Sequence, residues 1–480
     1  MDSPRSRAGI ESRRLPRRTV ARYGIGSLGT GGFATLPGLV LVYYLTDALG
    51  VAAAVAGVIV AVAKIWDVLI DPGIGALSDH DAARRGSRRR FMTLGALGLP
   101  IFFALTFAVP TGTSTGLAAL WVAIAFLLAA TAFSLFQVPY IALPAELTDS
   151  YDERTRLLTV RVVVLSVAIL AFGAGGPALR GVGGSPAVGY LIMAIVSGVL
   201  IGIAMLISAW TASQVRPPSA STRETGVSDD AAEHSRFSVA AGYRLGLAVL
   251  RRSLALRTLL GAFLLQGLAT GLMLAGAQYI ATWVLGSEAA ISGLFAALIG
   301  PALVCAPLWG IVARRVGKET GFIGATALFT AAAVGLIGLA WAPGWWVYPV
   351  IGVAGAAYAG MQSLPMAMLP DVISHDETSH QQSTAGVIGG VWTAGETTGM
   401  ALGAVVFTMV LALGGYVSSD ADSDVTQPHS ALTAMVVGFS VIPAVLTLLS
   451  LVFIRRYPLR RGDIELGRIQ HGTTHPLTAD

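Results

Sequence analysis

The stretch KIWDVLIDPGIGALSD, residues 64–79, sets an amine and two carboxylates inside an apolar run. Charge is costly in hydrocarbon, so an ionisable residue in a membrane span points to an ion or substrate pathway with a nearby partner. Steps of three and four residues from Lys64 to Asp67 to Asp71 stack all three groups on one helical face. Two carboxylates one turn apart offer hard oxygen ligands suited to Na+, or a shared site that carries a proton. Pro72 removes a helical hydrogen bond and leaves a carbonyl free beside them. The competing reading is structural: Lys64 neutralises Asp67 in a buried pair, and Asp71 caps a packing contact.

Outward from this stretch the whole chain is apolar. Of its 480 residues 54% are hydrophobic and 12% charged, against roughly 25% charged in a soluble domain; mean hydropathy is +0.70. Runs long enough to cross roughly 30 Å of hydrocarbon recur twelve times. They fall near 25–46, 52–78, 91–109, 117–144, 157–179, 188–211, 254–282, 290–312, 320–341, 347–369, 383–413 and 431–454. Arg13, Arg14, Arg17, Arg18 and Arg22 precede the first run, and Arg84, Arg85, Arg88, Arg89 and Arg90 follow the second. Alternate loops near 48–51, 110–116, 283–289 and 414–429 carry no Lys or Arg. The positive-inside rule then puts both termini in the cytoplasm. The net charge of +5 reflects topology and gives no reason to expect a nucleic-acid partner. All but two of the 32 basic residues are Arg, which suggests a GC-rich bacterium and its cytoplasmic (inner) membrane. The charged first 22 residues do not read as a cleaved signal. Cys305 stands alone, so no disulfide can form within the chain.

Residues 213–236 are rich in Ser, Pro and acid, as in a flexible linker, and split the chain six plus six. The expected units are a tail at 1–22, six-helix bundles at 23–212 and 253–456, a linker at 213–252 and a tail at 457–480. Within the linker, residues 237–252 read either as a helix on the membrane surface or as an early start of the seventh span. PYIALPAELTDSYDE from Pro139 reappears as PMAMLPDVISHDE from Pro365, and Pro72 with Gly75 is echoed by Pro307 with Gly310. A parallel repeat about an axis normal to the membrane predicts such a pattern. Asp67 and Asp71 meet Ala302 and Ala306 in the second copy, so the bend is kept and the charge is not.

The arginines after GALSD, with Asp79, are candidates for a gate that latches the loop to the opposite half, and the gate and conformational set is Lys64, Asp79, Arg84, Arg85 and Arg88. Setting topology is their other reading. Glu396 in the eleventh span and Arg161 in the fifth read either as solute contacts or as structural pairs. Trp392 reads as packing, with a sugar platform as its other role. Gln137, Gln266, Gln278 and Gln362 could bond a polar solute or glue helices. Asp371, His375, Asp376, Glu377 and His380 read as a solvated cytoplasmic loop and not as a metal site. The chain lacks the P-loop, HExxH and G-x-S-x-G patterns, which disfavours ATP-driven transport and hydrolysis.

Four tracts together resemble the glycoside-pentoside-hexuronide:cation symporter family. They are YGIGSLG from Tyr23 through YYLTD at 43–47, K-x-x-D-x-x-x-D-P-x-x-G from Lys64, VPYIALPAELTDSYDERTRL at 138–157 and AMLPDVISHDE at 367–377. The likeness runs in order over residues 23–460. It implies an all-α membrane protein with twelve transmembrane helices in two six-helix, pseudo-symmetric bundles, the major facilitator fold. It also implies symport of a sugar or similar polar solute with Na+ or H+ by alternating access. By this resemblance Asp67, Asp71 and Ser134 bind the coupling cation, with Na+ possible at the two aspartates, while Ile70 replaces an asparagine ligand. On the solute side Gly31 and Gln137 stand where galactoside-carrying members have aspartates, Glu396 where they have lysine, and Arg161 matches their arginine across a one-residue gap. Solute contacts are therefore expected from Gln137, Arg161, Glu396, Trp392 and Gln362. The expected protein is a monomeric carrier whose partners are a small-molecule solute and the bilayer, with no cofactor beyond the coupling ion. A proton-coupled exporter, a lysolipid carrier and a non-transporting scaffold are the alternatives.

Overall fold

A computed structural model describes residues 14–148, 151–182, 184–214, 239–380, 385–419 and 425–459. Among these residues the chain is helical, with no sheet. In the first half α1 is Arg17–Tyr43, α2 Ala53–Arg85, α3 Arg89–Thr106, α4 Thr115–Leu147, α5 Tyr151–Leu179 and α6 Pro186–Ala209. A helix α7, Val239–Arg252, precedes the second half. There α8 is Leu254–Tyr279, α9 Ala290–Val316, α10 Lys318–Gly335, α11 Val347–His380 and α12 Ala385–Leu413; α13 is His429–Arg455. Ten of these helices are apolar and long enough to cross a membrane. Helices α3 and α11 complete the expected twelve, and the all-α, two-bundle architecture is the one observed.

Hydropathy marks where lipid begins, not where a helix begins, so the helices overrun the apolar runs. Helix α1 starts at Arg17, just after Pro16, and α2 continues to Arg85, where Gly86 ends it at φ 72°. Helix α11 carries Pro365 and Pro370 internally and runs through the segment expected to be a solvated loop. That expectation is corrected: Asp376 is buried in the second half and accepts two hydrogen bonds from Arg252, at 2.7 and 3.2 Å. Glu377 and His380 lie outside the residues whose side chains are described. Ser253 separates α7 from α8 and caps α8 through the Leu256 amide, so α7 is an element of its own.

The halves pack alike. In the first, α1 lies against α5 and α6, α3 against α4 and α6, and α2 against α4. In the second, α8 lies against α12 and α13, α10 against α11 and α13, and α9 against α11. Between halves α2 meets α12 and α5 meets α9, the reciprocal contacts that a two-fold axis along the bundle requires. One continuous apolar core fills the first half and crosses into the second only near the loops that lack basic residues. A separate core fills the other end of the second half.

Small residues set the closest approach. A Cβ added at Gly403 of α12 would lie 2.5 Å from the Leu272 amide nitrogen of α8, and one at Gly271 would lie 2.3 Å from the Met400 carbonyl oxygen. Backbone against backbone cannot give way, so these glycines fix the register that aims α12 inward. A Gly403→Val change should cost about 1–3 kcal/mol by overpacking, seen as a lower melting temperature in detergent. Gly324→Ala, with nothing within 4 Å of the new methyl, should leave that temperature equal or higher.

Candidate functional site

Helices α2 and α4 run in the same direction, and their contacts rise together along both. The Trp66 indole donates to Thr131 at 2.9 Å, and one turn further along α4 the Ser134 hydroxyl bonds Asp71. Lys64 reaches Asp67 Oδ2 at 3.2 Å and acts on Asp71 electrostatically, as Asp67 does. The expected face of Lys64, Asp67, Asp71 and Ser134 is thus brought together. Oδ1 of Asp67 and Oδ1 of Asp71 are both buried without a hydrogen-bond partner. By formal count, two acids and one amine leave one negative charge, and one oxygen of each acid has no donor. One monovalent cation would balance it.

The solute candidates fall on two facing surfaces. In the first half Arg161 lies over the Tyr140 ring at 5.6 Å, and its Nε is buried without a partner, as is Oε1 of Gln137. Gly31 offers no room for a side chain: a Cβ there would lie 2.9 Å from that of Ala168. In the second half Glu396 and Gln362 line one cavity with Gln266, Thr270 and Tyr358. Trp392 stands behind it, stacked on Phe263 at 4.4 Å. Arg161 acts electrostatically on Glu396 from the opposite bundle.

Two of the gate candidates make pairs within the first bundle. Arg88 donates to Glu146 at 2.6 Å and to Ser78 at 3.2 Å, and Arg85 pairs with Asp81 at 3.0 Å, all within the first bundle. Arg84 is exposed, and the Asp79 side chain lies outside the described residues. The repeat explains the pattern. Arg88 follows the glycine that ends α2 and pairs with the acid after Pro144, while Lys318 follows Gly317 and pairs with Asp371 after Pro370 at 2.5 Å. Each half closes its own clamp at the arginine-rich end.

A set of bonds that cross between halves lies at the opposite end among the described residues, and sequence reasoning missed the one at Asp47. Asp47, in the π-helical turn that extends α1 to Ala48, accepts from Trp283 at 3.2 Å, from Tyr416 and from Thr46 at 2.5 Å. Thr46 also meets the Tyr279 hydroxyl at 2.7 Å, and Thr282 bonds Tyr43 in return. Ser419 N donates to Thr46 O at 3.0 Å, Ser418 to Val51 O at 2.9 Å, and Arg180 to Gln278 at 2.8 Å. A signal was present. YYLTDALG at 43–50 matches YIATWVLG at 279–286, each ending in a glycine of positive φ, so Asp47 and Trp283 are equivalents that meet on the axis.

Comparison with known proteins agrees with this architecture. The family model described as MFS/sugar transport protein matches residues 22–461. The glucuronide carrier protein homolog of Escherichia coli K12 is 25% identical, over 93% of this chain and 94% of that protein. The isoprimeverose transporter of Lactiplantibacillus pentosus is 22% identical, over 84% and 81%. Among solved structures, the partially occluded, inward open xylose transporter XylE of Escherichia coli superposes with a TM-score of 0.61 at 16% identity, over 93% and 98%.

Hydrogen bonds to a charged group are worth about 1.5–3 kcal/mol, and 1.4 kcal/mol is a factor of ten in population. Tyr416→Phe and Asp47→Asn should therefore open the sealed end. With Cys305→Ala and Gln137→Cys, an impermeant maleimide applied from that side should label both variants about tenfold faster than the parent. Equal rates would show that these bonds do not hold the seal.

Proposed function

The chain belongs to the MFS/sugar transport protein family, and we propose that it is a secondary active symporter that moves a sugar or similar polar solute with one Na+ or H+. Membership makes it a multi-pass membrane transporter and not an enzyme. The observation that carries the coupling is the α2–α4 cluster, in which Lys64, Asp67, Asp71 and Ser134 meet with one negative charge uncompensated and two carboxylate oxygens unpartnered. A packing device would satisfy those oxygens, because an unmet acceptor in a dry site lowers stability. An ion that visits in every cycle satisfies them when it arrives.

Alternating access follows from where the bonds lie. Clamps within each half at the arginine-rich end keep the bundles rigid, and the cross-bundle bonds around Asp47 hold the other end shut. Breaking the second set while keeping the first would rock two bodies about the central solute surfaces. The names of the relatives support a glycoside as cargo, since one is a glucuronide carrier homolog and another carries isoprimeverose. We place the protein in the bacterial inner membrane with both termini cytoplasmic on the strength of the arginine-rich loops.

In proteoliposomes, an imposed Na+ or pH gradient should drive accumulation of the solute by the parent. Asp67→Asn and Asp71→Asn should lower gradient-driven accumulation about tenfold or more while solute exchange without a gradient persists. Undiminished accumulation in both variants would remove the site assignment.

A further inference from the structure

The cavity beside Glu396 has a chemical polarity that its neighbours fix. Gln266 is buried, and its amide lies 3.0 Å from the Thr326 hydroxyl and 3.2 Å from that of Ser450. Thr326 already donates to Phe322 O at 2.8 Å and Ser450 to Thr447 O at 2.7 Å, so both hydroxyls can only accept from Gln266. The amide must therefore turn its NH2 toward them, which sets the flip that coordinates alone would leave open. Its Oε1 is left buried and unpartnered in the wall of the cavity. Thr270 likewise spends its proton on Gln266 O at 3.0 Å and keeps only lone pairs. With the Glu396 carboxylate, three of the polar groups around this cavity offer acceptors, against two donors: the Tyr358 hydroxyl and the second amide hydrogen of Gln362, whose first goes to Tyr358 at 2.7 Å.

A carboxylate or sulfonate brought here would meet lone pairs and a like charge. An ammonium group, with three donors and a positive charge, matches both the acceptors and Glu396. From the opposite bundle Arg161, which acts on Glu396 electrostatically, has a buried Nε without a partner, a donor free for hydroxyl or ether oxygens. We infer that the solute is an amine-bearing sugar, held with its amine between Glu396 and Gln266 and its oxygens toward Arg161. This rests on the symport reading above and specifies the cargo of that site. Discrimination of this kind is strong, because the wrong ligand leaves buried polar groups unmatched.

The test uses the full-length protein in detergent and in proteoliposomes, with three probes: methyl glucosaminide, methyl glucoside and methyl glucuronide. The parent should bind the amine at least tenfold more tightly than the neutral glycoside and the glucuronide least. Glu396→Gln should remove the preference for the amine, and a melting temperature in detergent equal to that of the parent shows that the variant is folded. Tightest binding of the glucuronide by the parent, or an amine preference that survives in Glu396→Gln, would overturn the inference and leave the symport reading standing. Amine-selective binding without uptake under a Na+ or pH gradient would support the cargo and overturn the coupling. Failure of all three glycosides both to bind and to accumulate would overturn both.

Discussion

A carboxylate carried into hydrocarbon has to be met by positive charge or by hydrogen-bond donors, because water cannot reach it. This chain meets that demand in three different ways. Asp47 is answered by neutral donors from the opposite bundle. Asp67 and Asp71 are answered in part, by one ammonium and one hydroxyl. Glu396 faces an arginine across the boundary between the halves. The first arrangement ties the two halves together, the second leaves two carboxylate oxygens without a partner, and the third sets an acid against a base from the other bundle; in the proposed function these are the seal, the ion site and the solute surface.

The repeat supplies the geometry in which these sites can act. Equivalent clamps, Arg88 with Glu146 and Lys318 with Asp371, tie the loop after the second helix of each half to the end of the fourth. Symmetry is broken where function needs it: Asp47 faces its own counterpart, Trp283, across the axis, and the aspartates of α2 have alanines as counterparts in α9. Glycines at the α8–α12 contact then bring backbones close enough to present Glu396 inward from a helix that also touches α2. In the proposed function the ion and solute surfaces are linked through this contact of α2 with α12, a physical route by which filling one can bias the other.

Much of this was legible in the sequence because hydropathy and helical spacing act locally. Twelve apolar runs gave twelve helices, and a three-and-four spacing put Lys64, Asp67 and Asp71 on one face. Hydropathy failed at the water boundary, where helices continue on their own hydrogen bonds; Asp376 looked solvated for that reason and is paired with Arg252 instead. The seal at Asp47 was missed because its partners lie 236 and 369 residues away. Charge content does not say which acid a base will meet, so the pair that Arg88 makes within its own half was not legible. Its partner Glu146, about two turns past Pro139 and Tyr140 along the repeat, lies in the same bundle.

The central claim is that the α2 cluster holds one uncompensated negative charge and takes up one cation per cycle. Charge movement on solute addition, recorded from proteoliposomes adsorbed on a solid-supported membrane, tests it whichever ion is used. The account predicts one positive charge moved per neutral solute molecule in the parent, and none in Asp71→Asn, which still exchanges solute. An electroneutral parent, or a current of equal size in the variant, would contradict it.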